Sequence, residues 1–127
     1  MNELDENCPF CKLDGIDFID RNRKVVAFFD QNPVNEGHIL IVPVRHVSNY
    51  FDLSPKEQWA MLEMVNRCKI VLEEKFHPDG YNIGVNCGEA AGQSIAHAHI
   101  HMIPRYKGDI DNPKGGIRGA IPEKRIY

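Results

Sequence analysis

His97-Ala98-His99-Ile100-His101-Met102-Ile103 sets three imidazoles at alternate positions with apolar residues between them. Side chains of a β-strand alternate between two faces, so the spacing predicts one shared face for His97, His99 and His101, roughly 6.6 Å apart in succession. Ala98, Ile100 and Met102 then face a core, and residues 95–103 read as a strand ended by Pro104. One histidine on such a face is usually a satisfied polar group. Three together need partners and make a rigid platform for a polar site. Two chemistries suit that platform: a His-x-His metal-ligand pair, or a nucleophilic imidazole with donors on either side.

The flanks bear on that choice. Gly92-Gln93-Ser94 brings a flexible backbone, an amide and a hydroxyl, which suit an anionic oxygen better than a cation. No Asp or Glu lies between positions 90 and 108 to complete a two-histidine, one-carboxylate metal site.

Further out, Val25-Val26-Ala27-Phe28-Phe29 reads as a strand stopped by Asp30-Gln31-Asn32-Pro33. His38-Ile39-Leu40-Ile41-Val42 barely alternates and predicts a second strand buried on both faces, ending at Pro43. Tyr81-Asn82-Ile83-Gly84-Val85-Asn86 alternates as a third. Ser54-Pro55-Lys56-Glu57 is a capping box, opening a helix from about 55 to about 76. Its predicted apolar stripe runs through positions 61, 65, 68 and 72, with Leu62 and Val71 beside it. From Lys107 the chain is rich in Gly, Pro and charge, and Ile117, Ile121 and Ile126 are placed to tack this tail onto a surface. Strands with one long helix and no βαβ alternation predict an α+β fold around a mostly antiparallel sheet, one domain over 1–127.

The 127 residues are 43% apolar and 26% charged, ordinary for a globular chain and against general disorder. No run approaches a membrane span. Fifteen Lys and Arg against eighteen Asp and Glu leave a net charge of −3, which excludes a broad nucleic-acid surface. Met1-Asn2-Glu3-Leu4-Asp5-Glu6 is acidic, without the basic and apolar parts of a secretory signal, and predicts a reducing, cytoplasmic setting. There Cys8-Pro9-Phe10-Cys11 reads as a metal knuckle or a redox pair before a disulfide. The redox form normally opens a helix within a βαβ unit, a pattern this sequence lacks. Cys68, on the helix stripe, and Cys87, in a small-residue loop, read as packing.

Gly92-Gln93-Ser94-Ile95-Ala96-His97-Ala98-His99-Ile100-His101-Met102-Ile103-Pro104-Arg105 resembles the signature of the histidine triad (HIT) family of nucleotide hydrolases and transferases. Phe28-Phe29-Asp30, Asn32-Pro33 and Gly37-His38-Ile39-Leu40-Ile41-Val42-Pro43 resemble the family's first half in order and spacing. The resemblance implies a HIT-like sheet of about five strands with one long helix and a short N-terminal element, in a homodimer. It implies that His99 attacks an α-phosphorus to give a nucleotidyl-histidine intermediate, which water then hydrolyses. His101, His97 and Ser94 complete the implied catalytic group. Asn86, Gln93 and Ser94 meet phosphoryl oxygens, Asp30 the ribose, and Phe10 and Phe28 the base, while His38 orients the triad.

In part of the family His46 and His97 join a Cys-x-x-Cys, which here implies structural Zn2+ on Cys8, Cys11, His46 and His97. No organic cofactor is implied. The expected substrate is a purine nucleotide, foremost a dinucleoside polyphosphate, with Arg105 and Lys107 placed to meet its extra phosphates. Nucleoside phosphoramidates and a non-catalytic nucleotide-binding module are the other readings. A galactose-type uridylyltransferase fits less well, since Ala98 and Ile100 stand where proline is expected.

Overall fold

The computed structural model describes residues 7–13 and 15–127; the acidic opening, 1–6, lies outside the described residues. Five strands, β1 (Phe18–Arg21), β2 (Val25–Phe29), β3 (Ile39–Pro43), β4 (Gly80–Gly84) and β5 (Ile100–Arg105), form one sheet in the order β1-β2-β3-β5-β4. Every neighbouring pair is antiparallel. Helix α1 (Pro55–Lys75) packs on one face, as the α+β expectation requires. Among the described residues no helix is long and apolar enough to cross a membrane.

The sheet is covered on both sides, which explains why β2 and β3 are continuous apolar runs. On the helix side Met61, Met64, Cys68 and Leu72 meet Val25, Ala27, Ile39, Ile41, Ile100 and Met102. On the other side Val26, Phe28, Leu40 and Val42 meet Cys8 and Phe10 of the N-terminal knuckle. Burial pushes the Cys68 thiol up to about 12, so it stays neutral and serves as packing.

The helix starts as its capping box dictates. Glu57 N–H donates to Ser54 Oγ at 3.1 Å, and Ser54 N–H donates to Glu57 Oε1 at 2.9 Å. Arg45 donates to both Glu57 oxygens, at 2.6 and 3.1 Å, and these bonds hold the Glu57 carboxyl down at about 2. The helix stripe differs from the sequence reading: Met64 takes an inward place, Val65 lies only half-buried, and Leu62 is 50% exposed. At about 100° per residue, 61, 64, 68 and 72 wind along one line, and Leu62 turns off it. The chain leaves α1 at Phe76, whose ring packs so closely on Gly37 that a Cβ there would lie 2.9 Å from Phe76 Cδ2. Gly37 also has φ of +89°, so both space and backbone call for glycine.

Strand limits move in four places. β1 escaped the sequence reading because its four mixed residues pair only as an edge, with an irregular register between Phe18 and Asp20. β3 begins at Ile39, and β4 spans Gly80–Gly84 in place of 81–86. β5 begins at Ile100 in place of 95, so His97 and His99 precede the strand. β3 ends at Pro43 as read, whereas β5 runs past Pro104 to Arg105. β3 and β5 pair only from Ile39↔Met102 to Ile41↔Ile100, and each proline lies beyond that ladder, where a missing N–H costs nothing on one side.

Replacing Ser54 with Ala removes the cap and should cost about 1 kcal/mol, read as a lower urea midpoint at unchanged slope.

Candidate active site and metal centre

Alternation around the triad survives although the strand begins late. Ala98 N–H donates to Val47 O at 2.7 Å, outside the sheet ladder, and Ala98, Ile100 and Met102 all enter the helix-side core. The three imidazoles take the opposite side, together with Phe10, Phe28 and Leu40. There a cavity of about 400 Å³ is lined by, among others, Phe10, Phe28, Asp30, Asn86, Ser94, His99 and His101. Its size is at the lower end for small-molecule sites.

Backbone groups fix which nitrogen of each ring carries a proton, since a carbonyl can only accept. His99 Nδ1–H donates to His97 O at 2.8 Å, leaving the neutral ring's Nε2 as a lone pair. His97 Nε2–H donates to Pro43 O at 2.8 Å, leaving its Nδ1 as the lone pair. Val34 N–H donates to His38 Nδ1 at 3.0 Å, so His38 Nε2 bears the proton and donates to His101 Nδ1 at 3.0 Å. His101 is left with Nε2–H as a donor. The cavity thus has a nucleophilic nitrogen on His99 and an N–H on His101, with ring centroids 4.9 Å apart. Burial lowers the proton affinity of His38 and brings His101 down to about 4, where its histidine neighbours reinforce the effect and Asp30 opposes it.

Around the triad the expected residues divide. Ser94 and Asn86 line the cavity. Gln93 does not spend its side chain there: Oε1 accepts from Gly88 N–H at 2.9 Å, and Nε2 donates to Ser48 O at 2.6 Å and Ile95 O at 3.0 Å. Its amide clips together the loop whose turns at Gly88 and Gly92 both have φ of +91°. Phe10 and Phe28 both line the cavity and belong to the core beneath it. Arg105 is committed elsewhere, donating to Asp109 at 2.8 and 2.9 Å and to Asn82 Oδ1 at 2.6 Å, so its expected reach to extra phosphates is not what the structure shows. Pro9, Leu13, Gln31, Leu40 and Ile95 also line the cavity, and no sequence signal marked them.

Next to this cavity Cys8, Cys11, His46 and His97 gather with all donor atoms within 4.8 Å of one another. His46 Nδ1 and His97 Nδ1 are 3.2 Å apart; Cys11 Sγ is 3.2 Å from the first and 3.5 Å from the second, and Cys8 Sγ is 3.4 Å from His97 Nδ1. Bonds of about 2.0–2.1 Å to nitrogen and 2.3 Å to sulfur make tetrahedral edges of roughly 3.3–3.8 Å, close to these separations. His97 presents its lone pair inward because Pro43 holds the other nitrogen, the outer support expected of a metal-binding histidine. Burial pushes the Cys8 thiol up, a cost that a cation at the centre offsets. These four residues fit a metal ion. Asp30, His38 and His101 also cluster, but His38 cannot offer Nε2 as a ligand while Val34 N–H occupies Nδ1.

The HIT domain profile matches residues 16–108. An uncharacterised HIT-like protein of Methanocaldococcus jannaschii is 38% identical over 113 residues, 86% of this chain and 87% of that one. The asymmetrical bis(5'-nucleosyl)-tetraphosphatase of Schizosaccharomyces pombe is 37% identical over 89 residues, 70% of this chain and 49% of that enzyme. A zinc-bound histidine triad family protein from Mycobacterium smegmatis superposes with a TM-score of 0.75 at 30% identity, covering 81% of this chain and 78% of that one.

Because the folded protein lowers the proton affinity of His38 and His101, it favours their neutral forms. The stability tied to this is whole above the ordinary histidine value of about 6.5 and is lost as pH falls from there towards 4. Melting temperature should therefore fall over that window, and His101→Asn should flatten the fall; equal slopes would contradict this account.

Proposed function

Because the chain belongs to the HIT domain family, we propose that it hydrolyses nucleotides at an α-phosphate through a nucleotidyl-histidine intermediate, with a dinucleoside polyphosphate as substrate. One observation carries the reading: the His97 carbonyl holds His99 by Nδ1–H and so leaves Nε2 unprotonated at the cavity. In this reaction the Nε2 lone pair forms a bond to phosphorus while the bond from phosphorus to the leaving oxygen breaks, and the electron pair departs with that oxygen. Water then attacks the phosphorus, the bond to Nε2 breaks with its electron pair returning to that nitrogen, the water's proton is lost to solvent, and a nucleoside monophosphate leaves. His101 Nε2–H, the Ser94 hydroxyl and the Asn86 amide are donors for the charge spread over the phosphoryl oxygens. Asp30 accepts from the ribose hydroxyls, and Phe10 and Phe28 flank a purine base.

Burial, reinforced by its histidine neighbours, lowers the proton affinity of His101 to about 4 and favours its neutral form. That form stabilises an oxygen by hydrogen bonding, which suits a leaving group that departs as a phosphate anion. The S. pombe relative, a tetraphosphatase by name, fits the same substrate class. The commitment of Arg105 to Asp109 favours the second reading, a nucleoside phosphoramidate whose leaving half carries no extra phosphate.

The metal proposed at Cys8, Cys11, His46 and His97 is Zn2+. With four protein ligands it supplies a cross-link and a positive charge, and it has no open position for substrate. Two copies of the chain are proposed to pair through edge strand β4 and the exposed Trp59, Leu62, Ile70 and Ile83.

Two outcomes follow. His99→Ala should abolish turnover of diadenosine tetraphosphate while AMP still binds; turnover within tenfold of wild type would refute the nucleophile. The ratio of kcat/KM for diadenosine tetraphosphate over an AMP-amine conjugate should exceed one, and a ratio below one selects the phosphoramidate reading.

A further inference from the structure

The metal cluster and the nucleotide cavity share a wall. Phe10 stands in sequence between Cys8 and Cys11, and its ring centroid lies 5.9 Å from that of His97 and 5.1 Å from that of His99. Pro9, Phe10 and Leu13 all line the cavity. They belong to a segment that forms no strand or helix and turns back through Cys11 N–H donating to Cys8 O at 3.1 Å. A second link runs through His97, whose side chain joins the cluster while its carbonyl accepts the hydrogen bond from His99 Nδ1–H at 2.8 Å. The aromatic wall of the cavity and the aim of its nucleophile therefore both hang from the same four ligands.

We infer that metal binding and nucleotide binding are coupled: an ion on Cys8, Cys11, His46 and His97 raises affinity for a purine nucleotide by holding Phe10 and His97 in place. The inference rests on the cavity being a nucleotide site. Without the cross-link, a nucleotide must order the 8–13 turn as it binds and loses affinity by that backbone entropy. With the cross-link the turn is ordered beforehand. Linkage makes the effect reciprocal, so the nucleotide tightens metal binding by the same factor. Coupling between sites commonly amounts to about 5–150-fold, and a change of at least about fivefold is expected here.

The test measures the Kd of AMP for protein loaded with Zn2+ and for protein stripped by a chelator. It also measures the Kd of Zn2+, by chelator competition, with and without saturating AMP. AMP should bind at least about fivefold more weakly to the stripped protein, and AMP should tighten Zn2+ by the same factor. Phe10→Ala keeps all four ligands and the His97 link and separates the wall from general unfolding: it should hold Zn2+ with unchanged affinity in the absence of AMP and lower the coupling factor. Equal AMP affinity in both forms overturns the coupling and leaves the nucleotide reading standing; a coupling factor undiminished in Phe10→Ala overturns the part assigned to the Phe10 wall. AMP bound by neither form overturns the nucleotide reading itself.

Discussion

Four imidazoles, those of His38, His97, His99 and His101, have one nitrogen tied to a fixed partner, and the tie decides what the other nitrogen can do. Carbonyls of Pro43 and His97 accept hydrogen bonds from His97 Nε2–H and His99 Nδ1–H, while the Val34 N–H donates to His38 Nδ1, which passes the constraint to His101. A neutral imidazole has one donor and one acceptor nitrogen. Three backbone groups therefore suffice to set four rings. Their consequence is a lone pair on His97 facing the cysteines, a lone pair on His99 at the cavity, and an N–H on His101 beside it. Donor closeness alone would not tell the two histidine clusters apart, since both gather within 4.8 Å. The proton inventory separates them.

The Pro43 tie comes from the sheet itself. Pro43 ends β3, the central strand, buried between two layers, and β5 lies inside the sheet between β3 and β4. Ala98, Ile100 and Met102 are locked into the helix-side core, so the alternating histidines, of which only His101 lies on β5, are pressed to the other side by packing rather than by any preference of their own. Arg45 adds a second brace: it grips Glu57 at the start of α1 and is the neighbour of His46 in the chain. A member of the Cys-His cluster is thereby fastened to the helix cap.

Much of this was legible in the chain. Alternation in 97–103 gave the facing of the triad, the unbroken apolar runs gave β2 and β3, and Ser54-Pro55-Lys56-Glu57 gave the helix start to the residue. Legibility ended where the decisive partner was main chain. Nothing about Val34, Pro43 or the carbonyl of His97 distinguishes them as hydrogen-bonding partners in sequence, because every residue has a carbonyl and nearly every one an amide. Gln93 shows the same limit from the side-chain end, since an amide beside a phosphate-like loop and an amide clipping that loop look alike until Ser48 is brought near. Met64 and Leu62 exchanged places for a third reason: both are apolar, and only the winding of α1 decides which one faces the sheet.

The charge of the cavity bears on how the proposed reaction turns over. Among the described residues lining it there is no lysine or arginine, and Asp30 is acidic. Whatever part of a cationic clamp's grip is shared by substrate and transition state lowers KM without raising kcat. Neutral donors aimed at oxygens act differently. A hydrogen bond strengthens as its acceptor gains charge, so His101 N–H contributes most when negative charge builds up on the phosphoryl oxygens. With Arg105 withdrawn into its pair with Asp109, the site depends on placement of neutral groups, and placement is what the carbonyl ties and the Cys-His cluster provide.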